Sequence, residues 1–393
     1  MPLSNLQKNN RNWIGVIIAF YAFVVMGISN HELGVLLPSL QATYNLTPGS
    51  ITILFLGQMT GSTVAALTSS LVSNRIGLSR MLLLSSIMLT SALVICACTN
   101  DWFIMVASLA ILGMGNALIN AGMSAYMASE RRNSNLIAWL YAFYSIGALL
   151  GSAFATTLLA MGWDWRAIYL KTAGLAGVIV VAMIWVTVSN YKLMSYVTVS
   201  DTDSKANLRL ALSMPTVIVS GLLCLIYVGV EVSIGNWAYS IQSISRSTPE
   251  LLAGYSVSAY WLGLTVGRLG MGYLMKQWGA VHTLNFSFTL LMSGLVIWCL
   301  FPNQLLSLPL IGFGLAVIYP ATIWLLPRRV EVTLVPAAIG FVASVTSLGS
   351  AATLTLVGLI AEHLGLESIP IIMVVLGSLM IFLNRWLVKY TVV

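Results

Sequence analysis

The chain is built from apolar stretches of about 20 residues or more, separated by short polar or turn-forming breaks, and this pattern constrains its fold more than any other feature. The runs fall near 13 to 40, 50 to 72, 81 to 99, 102 to 128, 136 to 160 and 167 to 189, then near 214 to 240, 251 to 274, 282 to 301, 304 to 326, 336 to 361 and 368 to 390. Each is long enough for a helix rising 1.5 Å per residue to cross a bilayer. Between the sixth and seventh lies the one long polar interval, residues 190 to 213. Composition agrees: 59% of residues are hydrophobic and 7% charged, against roughly 25% charged in a soluble protein. The expectation is an all-α membrane protein of twelve transmembrane helices, arranged as two pseudo-symmetric six-helix bundles, residues 1–189 and 214–393, joined by a cytosolic linker at 190–213.

The net charge of +7 does not imply nucleic-acid binding, because the basic residues are dispersed at helix ends rather than gathered on a soluble face. Alternate breaks carry Lys8 and Arg11, Arg75 and Arg80, Arg131 and Arg132, Lys192, Lys205 and Arg209, Lys276, Arg328 and Arg329, and Arg385 and Lys389. The intervening breaks carry only Arg166, Lys171 and Arg246. By the positive-inside rule both termini and the linker face the cytosol. The apolar run from Trp13 to Leu37 exceeds the length of a cleavable signal peptide, so it is expected to be the first span. Cys96, Cys98, Cys224 and Cys299 all lie inside apolar runs, where a thiol behaves as a small hydrophobe, and neither a disulfide nor a metal site is expected.

The two halves share landmarks. Ser73-Asn74-Arg75-Ile76-Gly77 follows the second span and Met275-Lys276-Gln277-Trp278-Gly279 the eighth, and at the same offset of 202 residues Gly27 meets Gly229 and Gly61 meets Gly263. A parallel internal repeat is expected. Two six-helix halves, a cytosolic linker and the degraded loop motif Ser70-Leu71-Val72-Ser73-Asn74-Arg75-Ile76-Gly77 resemble the major facilitator superfamily, whose motif reads Gly-x-Leu-Ala-Asp-Arg-x-Gly-Arg-Lys. The resemblance implies gating roles for Arg75 and Gly77, with Asn74 standing where an Asp is usual.

Three stretches resemble the fucose permease-like branch, which includes sugar symporters. These are Tyr227-Val228-Gly229-Val230-Glu231 followed by Gly235-Asn236-Trp237, Tyr141 to Gly151 in the fifth span, and Trp163-Asp164-Trp165-Arg166-Ala167-Ile168-Tyr169 before the sixth. Alignment on Leu36-Leu37-Pro38 puts Gly34, and alignment of the fourth span puts Asn120, at the positions where the fucose permease carries protonatable acids. Any coupling must therefore have moved to other residues, use another ion, or be absent.

Ionisable side chains at membrane depth cost at least about 2.5 to 3.5 kcal/mol on insertion scales, so each needs a partner, water or a role. Glu32, Glu231 and Arg268 stand out. Glu231 is the leading candidate for a coupling or substrate-binding acid, with Tyr227 one turn earlier on its face. Glu32 is the second, although Ser29, Asn30 and His31 beside it read as a polar, wet helix end and His31 as an interfacial residue. Counting along the spans separates Arg268 from Glu231 vertically by about 10 to 15 Å, which argues against an ion pair and favours a structural role for Arg268.

Neutral side chains could hydrogen-bond a solute. Asn116 and Asn120 lie four apart in span four, Gln58 is in span two and Asn236 adjoins Trp237. Tyr144, Trp237, Trp261 and Tyr319 could stack on an apolar ring face, although each could equally serve helix packing. Gly147-x-x-x-Gly151 and Gly263-x-x-x-Gly267 match close helix packing. With no clustered metal or nucleophile spacing and no phosphate-binding loop, neither an enzyme, a cofactor nor ATP is expected. The expectation is a monomeric secondary transporter in the bacterial inner membrane, moving a small polar organic solute such as a sugar with a coupling ion such as the proton. The alternatives are a proton-driven exporter of a hydrophobic metabolite or drug and, least favoured, a non-transporting sensor.

Overall fold

The structure is a computed structural model that describes residues 4–129, 136–189, 210, 212–331 and 334–390. Most of the expected linker, together with Arg131 and Arg132, lies outside the described residues. The described residues contain no strand. The helices are α1 (Ser4–Tyr44), α2 (Pro48–Ile76), α3 (Leu78–Cys98), α4 (Trp102–Ser129), α5 (Leu136–Ala160), α6 (Trp165–Val188), α7 (Pro215–Ser240), α8 (Glu250–Trp278), α9 (Ala280–Leu300), α10 (Ser307–Leu315), α11 (Ile318–Leu325), α12 (Val335–Leu364) and α13 (Ser368–Tyr390).

Among the described residues, eleven helical segments are long and apolar enough to cross a membrane. The twelfth, α8, is 29 residues long and carries Glu250, Arg268 and Lys276, which lower its hydropathy without shortening it. Helices α10 and α11 are halves of one span, Ser307–Arg328. The break has a local cause: Pro320 has no N–H for the carbonyl of residue 316, and its ring crowds that turn.

The chain divides into two compact units. One draws its described residues from Met1–Glu32 and Ile53–Ser200, the other from Leu33–Thr52 and Asp201–Val393. In the first, α3 packs against both α4 and α6. Side chains at Gly147 and Gly151 would strike the backbone of α1 at Val24 and Ile28, and one at Gly61 would strike Ala110 O on α4. The second unit uses the corresponding pairs. There α9 packs on α10 and α13, α12 on α7, and α8 on α10, where a side chain at Gly263 would strike Pro309 O. Both small-residue motifs therefore sit at close helix crossings, as their spacing implies.

The repeat extends to the turns. Gly77 (φ 85°, ψ 156°) caps α3 and Gly279 (φ 76°, ψ 160°) caps α9, in a backbone region that a side chain disfavours. The segment Leu33–Thr52, the end of α1 and the start of α2, is counted with the second unit because its backbone closes onto α7 and α12. A side chain at Gly34 would come within 2.8 Å of Asn236 Cα, and Gly49 lies against the carboxylate of Glu362.

Candidate functional site

Among the described residues each unit holds a polar cluster that joins several of its helices. In the first unit its centre is Asn30 on α1. Asn30 Oδ1 accepts from Gln58 Nε2 on α2 and from Asn116 Nδ2 on α4, both at 2.8 Å, and Asn30 Nδ2 donates to Tyr144 OH on α5 at 3.4 Å. His31 Nε2 lies 3.1 Å from the same hydroxyl. Asn116 and His31 are buried, while Asn30, Gln58 and Tyr144 are partly exposed. His31 is thus a buried member of the network and not an interfacial residue, because the continuous helix carries it 13 residues short of its end at Tyr44.

The spacing of four that joins Asn116 to Asn120 does not make them partners in one cluster. Asn120 Oδ1 instead accepts from Tyr141 OH and Ser124 Oγ, both at 3.3 Å. Asn30 is the member that sequence reasoning passed over. Its neighbours in space come from three other helices, and the sequence signal was a polar triplet, Ser29-Asn30-His31, in mid-span.

Glu32 follows directly. It is fully buried, and Thr172 on α6 donates to its Oε2 at 2.6 Å. Its Oε1 has no partner among the described residues. The wet helix end expected from its polar neighbours is overturned, since α1 runs on for three further turns and Glu32 faces into the bundle. An acid that is buried without a cation is tolerated when neutral and costly when charged.

In the second unit the cluster is centred on Glu231 of α7. Arg268 Nη2 on α8 donates to Glu231 Oε1 at 3.0 Å and to Tyr227 OH at 3.2 Å. Tyr260 OH, also on α8, donates to the carbonyl of Glu231 at 2.9 Å. The expected separation of Arg268 and Glu231 is therefore corrected. Helix α8 continues to Trp278 and α7 begins at Pro215, so Arg268 is ten residues and Glu231 sixteen residues from those ends. That leaves an axial difference of about 9 Å, which two long side chains span.

The aromatics pack around this pair. Tyr319, brought in beside the break at Pro320, stacks on Tyr227 with ring centroids 5.9 Å apart. Trp261 is buried edge-on to Tyr260 at 5.0 Å and against Gly235. Trp237 is buried facing Gly358 and Asn236 bonds back to Val232 O on its own helix at 2.9 Å. Those two contribute first to packing. Arg75 is exposed in the last turn of α2, next to the cap at Gly77.

Polar clusters inside both halves of a helical membrane protein fit the architecture of a transporter. The family model of the Major Facilitator Superfamily matches residues 13–307 and again 221–392, and the chain belongs to that superfamily. It is 24% identical over 328 residues to the glucose/mannose transporter GlcP of Bacillus subtilis, covering 79% of each chain. It is 21% identical over 439 residues to the Bypass of stop codon protein 6 of Saccharomyces cerevisiae, covering 98% of this chain and 82% of that one. The solved structure of the nucleoside transporter NupG superposes with a TM-score of 0.76 at 11% identity, covering 95% of this chain and 99% of that chain, a likeness of fold. The protein is a multi-pass integral membrane protein of a family that moves small solutes across membranes.

Proposed function

We propose that the chain is a proton-coupled transporter of a small, neutral, hydroxyl-rich solute of the hexose class, working as a monomer in the bacterial inner membrane with both termini cytosolic. The observation that carries this reading is electrical. The first unit's cluster consists of neutral amides, a tyrosine and a histidine, and in the second unit's cluster the two charges, Glu231 and Arg268, are paired with each other. Such surroundings favour a neutral polar solute over an anion or a cation, and they offer hydrogen bonds that a hydrophobic drug could not use. Similarity to a glucose/mannose transporter supports a sugar.

Asn116, Gln58 and Tyr144 are proposed as solute contacts in the first unit, with Asn120 beside them. Tyr227, Tyr319, Trp261, Asn236 and Trp237 are proposed to shape the site in the second. Glu231 and Glu32 are the two proposed coupling acids. Protonation of Glu231 would remove the charge that holds Arg268 against Tyr227, so that proton uptake rearranges a binding surface. Glu32 would take its proton in a pocket where Thr172 is the one donor among the described residues.

The test is solute-dependent proton movement in proteoliposomes, with a panel of hexoses and related polyols, for wild type, Glu231→Gln and Glu32→Gln. External alkalinisation on addition of one sugar, lost in Glu231→Gln with counterflow of that sugar retained, is the expected result. Solute exchange with no proton signal in any of the three proteins would mean a uniporter or another coupling ion, and both acids would then be structural.

A further inference from the structure

Asn30, which the reading above does not use as a contact, fixes which atoms the first unit presents to a solute. An amide oxygen has two lone pairs, and both of those on Asn30 Oδ1 are taken, by Gln58 Nε2 and Asn116 Nδ2 at 2.8 Å each. The Asn30 amide nitrogen is turned in turn toward Tyr144 OH. Gln58 Nε2 and Asn116 Nδ2 both donate to Asn30, Asn116 Nδ2 also reaching Ser29 Oγ at 3.5 Å, which turns the side-chain oxygens of Gln58 and Asn116 away from Asn30. Asn116 Oδ1 is buried, in a residue only 6% exposed, and has no partner among the described residues. A buried acceptor left unmet is costly, and a solute donor would meet it.

We infer that Asn30 is a specificity-determining positioning residue, holding Asn116 Oδ1 and Gln58 Oε1 as a pair of acceptors so that the first unit selects solutes offering hydroxyl donors. This inference rests on the transport reading and adds to it the polarity of recognition: the solute donates and the protein accepts.

The experiment uses the full chain in proteoliposomes, reading counterflow of labelled D-glucose against each monodeoxy and monofluoro derivative. Fluorine in place of hydroxyl can accept a hydrogen bond but not donate one. At the hydroxyls that the amides meet, wild type is expected to lose about tenfold or more in apparent affinity for the deoxy and the fluoro compound alike. In Asn30→Leu the Gln58 amide loses the acceptor that holds it and Asn116 keeps only the long 3.5 Å contact to Ser29, so both can turn and the fluoro compound is expected to regain about threefold or more over the deoxy compound. Asn30→Asp keeps both acceptor bonds and is expected to keep the wild-type pattern.

Fluoro derivatives that compete with wild type as well as glucose at every position would overturn the inference, as would an Asn30→Leu protein with the wild-type pattern. If Asn30→Leu does not fold, the wild-type series still decides by itself. If wild type moves another solute and no hexose, the sugar reading fails while this one is decided by hydroxyl-to-fluorine derivatives of that solute. Movement of no solute overturns both.

Discussion

Arg268 Nη2 stands 3.0 Å from Glu231 Oε1 and 3.2 Å from Tyr227 OH, so one guanidinium nitrogen ties two residues a turn apart on α7 to α8. The side chains are 20% and 9% exposed for Arg268 and Glu231. Removing one partner of a mostly buried pair leaves the other charge unmet and costs about 3 to 5 kcal/mol, whereas removing both can be nearly neutral. Arg268→Met is therefore expected to lower the thermal unfolding midpoint more than Glu231→Gln/Arg268→Met does, as read by a fluorescence melt in detergent. Additive effects in the double variant would mean the pair is not coupled.

Gly77 and Gly279 have positive φ with extended ψ, and a β-carbon at either would meet nothing within 4 Å. Any cost of substitution there is one of backbone strain, of order 1 to 3 kcal/mol. Gly77→Ala and Gly279→Ala are each expected to destabilise by that amount. Gly174→Ala, in open space within helical α6, should be neutral or stabilising by up to about 1 kcal/mol. Chemical unfolding of the three variants checks this, and equal effects at all three positions would contradict it.

Arg246 bridges both oxygens of Glu367, Nε to Oε1 and Nη2 to Oε2, each at 2.8 Å, and also donates to Trp298 O at 2.9 Å. The guanidinium holds the Glu367 carboxyl below its ordinary value of 4.5. A carboxyl lowered in the folded state contributes stability that is complete above its unfolded value and is lost as pH falls through the folded one. The stability gap between wild type and Glu367→Gln should be constant from neutral pH to about pH 5 and close at lower pH. Half of the Glu367 side chain is exposed, so the gap is expected to be small and to shrink with salt. A gap that widens on acidification would refute the assignment.

Thr172 is the one donor to Glu32 among the described residues. Thr172→Val keeps the shape and removes the hydroxyl, and it should destabilise by about 1 to 3 kcal/mol by leaving both carboxyl oxygens unmet. Adding Glu32→Leu should recover most of that loss. Melting curves of the two single variants and the double give the coupling directly, and zero coupling would mean that the hydroxyl and the carboxyl do not hold each other.

Much of the fold was legible because its determinants are local. The lengths of the apolar runs gave the spans, and Gly77 and Gly279 marked equivalent turns in the two halves. Glu32, Glu231 and Arg268 could be singled out for the same reason, as ionisable residues in apolar runs. Their environments could not. Ser29-Asn30-His31 looked like a wet helix end, yet His31 and Glu32 are buried, and the side chains that meet Asn30 come from residues 28, 86 and 114 positions away.

What the sequence determined by itself was the number of spans, their extent and the two-half repeat, because the free energy of placing a helix in a bilayer is summed residue by residue along the chain. What only the tertiary structure decided was which polar groups meet. That depends on how each helix is rotated about its axis, and the rotation is fixed where backbones touch, as at Gly61 on Ala110 and Gly263 on Pro309. Crossings of this kind, with Gly147 on Val24 orienting α1 and Gly235 on Trp261 joining α7 to α8, accompany the meeting of Asn30 with Gln58 and Asn116 and of Arg268 with Glu231, contacts between helices that no periodicity within one helix can specify.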